Sequence, residues 1–159
     1  MDSDAIVFYE EYYLITHCAK RGSNLLESDG HKRLLLDNIN FFRARGLYQL
    51  AGYVILPDHY HLLISPAEGR SFDDILVPLT AYVTHHLSAV SGLPKPLFRS
   101  VAGVRVVPEE KLNDALNFLH ENPVRHGQTG TPKDYGWSSY ANYYLRNESL
   151  VQLDRIPMW

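Results

Sequence analysis

Two histidines flanking one tyrosine, His59-Tyr60-His61, stand in the run LPDHYHLLISP, which is otherwise dominated by strand-forming apolar residues. Successive strand side chains point to opposite faces, so the two imidazoles share a face and Tyr60 takes the other. At strand spacing they lie roughly 7 Å apart along the chain. They can converge on one divalent cation, which needs further ligands. A pair of half-exposed strand histidines with no ligand carries the same signature. The stretch PEEKLNDALNFLHENP offers a third ligand. At helical spacing Leu112, Ala115, Leu116 and Leu119 form its core stripe, with Phe118 and Asn122, four apart, displaced from the centre of that stripe. The side-chain carbonyl of Asn122 completes a cation site if this helix lies across the sheet. Alternatively, Asn122 caps the helix before Pro123.

The elements that must position these groups follow from the surrounding pattern. Tyr12 to Lys20 is rich in β-branched and aromatic residues and predicts a first strand. GHKRLLLDNINFFRARG carries Leu34, Leu35, Ile39 and Phe42 at helical spacing and stops on Gly46. Leu47 to Pro57 and the HYHLLIS run predict the second and third strands. Ser71 caps a helix with Asp73 and Asp74 in its first turn, a buried stripe of Phe72, Ile75, Leu76, Leu79, Val83 and Leu87, and a kink at Pro78. Val101 to Val107 predicts a fourth strand. The helix that follows opens at Pro108 and ends or bends at Pro123, and the aromatic stretch around Tyr140 predicts a short outer helix. The order β-α-β-β-α-β-α is that of a ferredoxin-like split βαβ unit, an α+β fold with helices packed on one face of an antiparallel sheet. A C-terminal helix is added to it.

Composition narrows the classes. The chain has 159 residues, 45% of them hydrophobic and 21% charged, which suits one globular domain over 1–159. A net charge of −3 argues against a generally basic nucleic-acid binder and leaves room for a local patch. The single cysteine, Cys18, excludes an intrachain disulfide and fits a reducing compartment. There is no signal-peptide pattern at the start and no apolar run long enough for a membrane span, so the expectation is cytoplasmic. Tyrosine is abundant, with 11 copies. Core and edge filling accounts for such residues more readily than base stacking.

The motifs also carry a family resemblance. LPDHYHLLI resembles the PNHxHLL strand of the HUH-type single-tyrosine transposases, which include insertion-sequence and REP-associated tyrosine transposases. FLHENPVRHG, from Phe118 to Gly127, and YGWSSY, from Tyr135 to Tyr140, are similar to the YIHxNPVxAG and WSSY blocks of the second branch. The resemblance runs loosely from the first strand to about Tyr140. It implies Mg²⁺ or Mn²⁺ held by His59, His61 and Asn122, and single-stranded DNA, usually with a hairpin, as substrate. It also implies a tyrosine four residues before the amide that attacks a phosphodiester, leaving a 5′-phosphotyrosine and a free 3′-hydroxyl.

That tyrosine is missing, because position 118 is phenylalanine. Three explanations stand: an altered variant that traps the complex, a natural descendant that binds without cutting, or another tyrosine acting instead. Tyr60 should face away, Tyr82 could face the site, and Tyr140 and Tyr143 are more remote. For phosphate contacts the candidates are Arg99, Arg105 and Arg125, with Lys20 and Arg21 after the first strand. Each is equally well an ordinary surface charge. His85, His86, His120 and His126 are read as structural or surface residues. A homodimer is left open. The alternatives to a transposase are a DNA-binding regulator derived from one and a small metal-dependent phosphoesterase. The latter requires a third acidic, His or Cys ligand, and only Asp58 is adjacent, on the opposite face.

Overall fold

A computed structural model describes residues 11–99, 103–147 and 150–156. The strands are β1 (Tyr12–Cys18), β2 (Tyr48–Ile55), β3 (His59–Pro66) and β4 (Gly103–Val107), and the helices are α1 (Asp29–Ala44), α2 (Phe72–Ser91), α3 (Leu112–Arg125) and α4 (Tyr140–Tyr144). The sheet has the order β2-β3-β1-β4, and every neighbouring pair is antiparallel. This is the predicted split βαβ arrangement. The first two residues of the predicted fourth strand, Val101 and Ala102, lie outside the described residues.

Every residue of β3 is buried, because both faces of this inner strand are covered. Register sorts the side chains. Leu14, Thr16 and Cys18 of β1 stand opposite Leu63, His61 and His59, so all six share one face. The other face carries Tyr60, Leu62 and Ile64 with Ile15 and His17, and it packs beneath α1 and α2. There the phenol of Tyr48 donates to the Ile39 carbonyl of α1, and Phe72 of α2 meets the Tyr13 ring at 6.3 Å. The third helix, α3, lies on the histidine face, opposite the α1–α2 pair.

A register shift between Leu50 and Gly52 lets β2 serve both layers. Before the bulge Leu50 pairs with Ile64. After it Gly52 pairs with Leu63 and Val54 with His61, so Gly52 and Val54 face α3. Glycine is needed there because the helix comes so close. A Cβ at position 52 would sit 2.8 Å from Leu116 Cδ2, 3.0 Å from Leu119 Cδ1 and 3.2 Å from Ser139 Oγ. Leu116 and Leu119 are fully buried, each contributing about 1.5–3 kcal/mol by leaving water.

Local signals account for most helix ends. Ser71 and Asp74 form a reciprocal capping box at the start of α2, and Gly92 closes it with left-handed backbone. The helix runs unbroken through Pro78. Phe72, placed in its buried stripe by periodicity, is 37% exposed because it sits in the first turn, at the sheet margin. Pro123 does not end α3. The helix continues to Arg125, and His126 and Gly127 close it with N–H groups that donate to the Asn122 and Val124 carbonyls. Gly127, with φ of 72°, supplies the actual stop.

The outer edge of β2 is covered by the chain's last described segments. Ile55 N–H donates to Trp137 O, Ser139 N–H to Tyr53 O, and Asp154 N–H to Leu50 O, which removes an open sheet edge. His120 fastens α3 to the same segment, with Nε2 at 2.8 Å from Ser139 Oγ. Its ring is buried and is surrounded by Tyr140, Tyr143 and Tyr144. Among the described residues no helix is long and apolar enough to cross a membrane.

Two outcomes follow. Gly52→Ala should destabilise the fold by about 1–3 kcal/mol through overpacking, read as an earlier denaturation midpoint with an unchanged slope. An unshifted midpoint would mean that α3 does not press on β2. Burial holds the His120 imidazolium well below its ordinary 6.5, at about 4, so the fold favours the neutral ring. Its contribution is therefore complete above pH 6.5 and is lost as pH falls through about 4. The melting temperature of metal-free protein should decline over that window, and His120→Gln should flatten the decline.

Candidate functional site

The sequence-predicted groups meet where β3 passes under α3. The His59 and His61 rings are 5.0 Å apart between centroids, nearly perpendicular at 85°. The Phe118 ring stands 5.2 Å from His61, and the His126 ring 4.9 Å from His59. Phe118, Asn122 and His126 follow one another at intervals of four on one helix face. The two outer members touch the two histidines, and Asn122 lies between them on that helix face. Strand β3 and helix α3 therefore run with matched spacing: about 6 Å of helix per four residues against roughly 7 Å between alternate strand residues.

Hydrogen bonds fix both imidazoles. His59 Nδ1 lies 2.7 Å from Asp58 Oδ1, with the ring N–H donating to the carboxylate. This contact holds the Asp58 carboxyl below its ordinary range. His61 Nδ1 lies 2.7 Å from Thr16 Oγ1. With Nδ1 engaged on each ring, Nε2 is the nitrogen left for a ligand, the usual outer-shell device of histidine metal sites. Burial, then the neighbouring His59 and His126, push the His61 pKa down to about 4, so its ring is neutral, as a metal ligand must be.

Asn122 is 2% exposed, and its Oδ1 has no hydrogen-bond partner among the described residues. Leaving a buried acceptor unpaired costs about 1–3 kcal/mol. A buried, unpartnered carbonyl oxygen on the helix face that meets two imidazoles suits a divalent cation. The residues present therefore fit such an ion. Asn122 is not the helix cap, because the helix runs on past it. Among the described residues no three His, Cys, Asp or Glu side chains are gathered as a cation cluster, so this set depends on the amide.

Phe118 also borders a cleft of about 330 Å³ lined by Arg105, Lys111, Asp114 and Ala115. The Arg125 guanidinium lies 5.7 Å from the Phe118 ring centre. Lys111 and Arg125 have exposed acidic neighbours, Asp114 at 3.8 Å and Glu121 at 3.5 Å, contacts weak enough for a phosphate to displace.

Arg105 and Arg125 thus stand at the site, and Lys111 joins them unforeseen. Arg99 does not. It lines a larger cavity of about 730 Å³ on the α2 side of the sheet, with His17 and Phe98. Its place follows from its backbone, which is tied to Cys18 O and to the His17 ring. Lys20 and Arg21 are exposed at the turn after β1, with Lys20 N–H bonded to Leu97 O.

The other tyrosines are elsewhere. Tyr60 is wholly buried on the far face, 3.1 Å from His17 Nδ1. Tyr82 packs on Phe41, Phe42 and His86 at the α1–α2 surface, the wrong side for the site. Tyr140 and Tyr143 surround His120, and Tyr143 donates to Ala51 O at 2.5 Å.

One reading needs correction. Asp58, set on the opposite face, reaches His59 from the tight turn before β3. His126, read as a structural or surface residue, is exposed, and α3 running on past Pro123 brings its ring to 4.9 Å from that of His59.

No protein-family model matches the chain, and no curated protein sequence matches it. Solved structures do. A REP-associated tyrosine transposase, determined bound to a REP hairpin, superposes with a TM-score of 0.70 at 17% identity, covering 99% of this chain and 92% of its own. A Deinococcus radiodurans R1 protein assigned a transposase role gives a TM-score of 0.53 at 19% identity, covering 80% of this chain and 96% of its own. The first of these is of the REP-associated group whose motifs the sequence resembles. The chain has the α+β fold of a REP-associated tyrosine transposase.

Proposed function

We propose that this chain is a hairpin-DNA-binding protein of the HUH single-tyrosine transposase type. In this reading its cation site is kept and its nucleophile is replaced. The observation that carries the reading is the Phe118 ring. It packs 5.2 Å from His61, one helical turn before the orphaned Asn122 carbonyl, where the resemblance calls for a phenol. Phenylalanine keeps the packing and lacks the oxygen. The far-side positions of Tyr60 and Tyr82 speak against a substitute nucleophile.

His59, His61 and Asn122 would hold Mg²⁺ or Mn²⁺, which when bound polarises a phosphate and stabilises negative charge on it. The protein's own groups do the rest. Thr16 and Asp58 orient the imidazoles. Arg105, Lys111 and Arg125 supply positive charge for the phosphates of a single strand running along the cleft. The Phe118 face offers a surface for an unpaired base. With three cations in a narrow footprint, the overall acidity of the chain is no obstacle. Phosphodiester transfer is the activity of the intact constellation. This chain binds and holds the strand.

The reading predicts that wild-type protein shifts hairpin oligonucleotides drawn from DNA flanking its own gene. Three phosphate contacts on a single strand give a log–log salt slope of about −2. With Mn²⁺ present it forms no covalent adduct. Phe118→Tyr should produce a denaturation-resistant protein–DNA band on the same oligonucleotide, and that band should vanish in a His61→Ala background. A Phe118→Tyr protein that binds the hairpin and yields no adduct would contradict simple loss of the nucleophile. Failure of the wild type to bind any flanking hairpin would overturn the function.

A further inference from the structure

A second cleft lies across the sheet from the histidines, between α2 and the segment 95–99. From its lining we infer that it binds a nucleoside monophosphate unit whose base carries an exocyclic amino group. The base lies against Phe72 and Asp73, and the phosphate meets Lys95 and Arg99. This site does not depend on the cation site.

The fold leaves the space open. Helix α1 packs on α2 and β2, so the β4 side of α2 has no helix over it among the described residues. There α2 presents small side chains, Thr80, Ala81 and Thr84, and the opposing wall carries Leu97 and Phe98. Val104, which pairs with Ile15, forms part of the floor. The cleft encloses about 730 Å³, a volume typical of small-molecule sites.

Its two ends differ in chemistry. At one end Phe72 meets the Tyr13 ring and is 37% exposed, Val77 is 66% exposed, and Asp73 stands beside them. At the other end Phe98 stacks on His17, and the Arg99 N–H is bonded to Cys18 O, which sets the two cations there. Tyr13 and His17 are four strand residues apart, so the ends are separated by about 13 Å. That exceeds a Debye length of about 8 Å at physiological ionic strength, so Asp73 does not cancel the cations. Neither Lys95 nor Arg99 has a side-chain ion pair among the described residues. The His17 ring nitrogens are taken by Tyr60 Oη and Arg99 O, which leaves this residue only its ring to offer.

An extended nucleotide matches this order of groups. Its phosphate takes the two cations, and its sugar lies along the Thr80 and Thr84 hydroxyls. Its base stacks on the exposed Phe72 ring, with the amino group donating to Asp73. Inorganic phosphate would leave the apolar end empty, and a purely apolar ligand would leave the charges unused.

The experiment is calorimetric titration of the full chain with dCMP, dAMP, dTMP and inorganic phosphate. The amino-bearing nucleotides should bind about 10-fold more tightly than dTMP or phosphate. Arg99→Ala should weaken them by a similar factor, and Asp73→Ala should erase their advantage over dTMP. Ala81→Trp, which fills the cleft from an exposed position, should abolish binding with an unchanged melting temperature. Displacement of dCMP by a flanking hairpin oligonucleotide would make a nucleotide of the strand the source, and simultaneous binding would make it a free nucleotide; both outcomes support the site. No binding of dCMP or dAMP at millimolar concentration, equal binding of dTMP, or binding untouched by Ala81→Trp overturns the inference. None of those results bears on hairpin binding at the histidine face, which is measured separately.

Discussion

One buried oxygen constrains the site: the side-chain carbonyl of Asn122, on the helix face that meets His59 and His61, with no hydrogen bond among the described residues to satisfy it. Everything that positions it is paid for by packing. Leu116 and Leu119 press α3 onto the sheet, and Gly52 removes the one Cβ that would keep them away. The β2 bulge turns Gly52 toward that helix. Ser139, bonded to the Tyr53 backbone and to His120, ties the helix to the sheet edge from the other side. A polar atom kept in such surroundings costs stability unless something satisfies it, and in the proposed reading a cation beside His59 and His61 would do so.

In the proposed reading the same helix separates binding from bond-making. Phe118 packs 5.2 Å from His61 with a ring that tyrosine would share, so the missing hydroxyl would leave the local structure undisturbed. The cations around the Phe118 cleft and the imidazoles beneath it would then retain what phosphate recognition requires, with no other change needed to hold a strand without cutting it. The cationic groups are few and local, in keeping with a chain of net charge −3.

Much of this was legible in residue order. Alternation in HYHLLIS put both histidines on one face, and helical spacing put Asn122 and Phe118 together. Element order gave the sheet. Other features depend on contacts that spacing does not encode. Pro123 reads as a helix terminus because it lacks an N–H, yet tertiary packing carries the helix another turn to Gly127, and only then does His126 come beside His59. The facing of Tyr82 could not be fixed without knowing that α1 and α2 share one side of the sheet and α3 takes the other. Arg99 sits in sequence near the site's strands, but its backbone contacts with Cys18 and His17 turn it to the α2 side. The β2 bulge has no signature beyond the glycine itself.

Anomalous diffraction from a crystal of the protein soaked in Mn²⁺ tests the central arrangement most directly. The account predicts a single strong peak between His59 and His61, with Asn122 Oδ1 and both Nε2 atoms at bonding distance. A peak at another location, or an Asn122 amide rotated away to a protein hydrogen bond while the histidines stay empty, would contradict it.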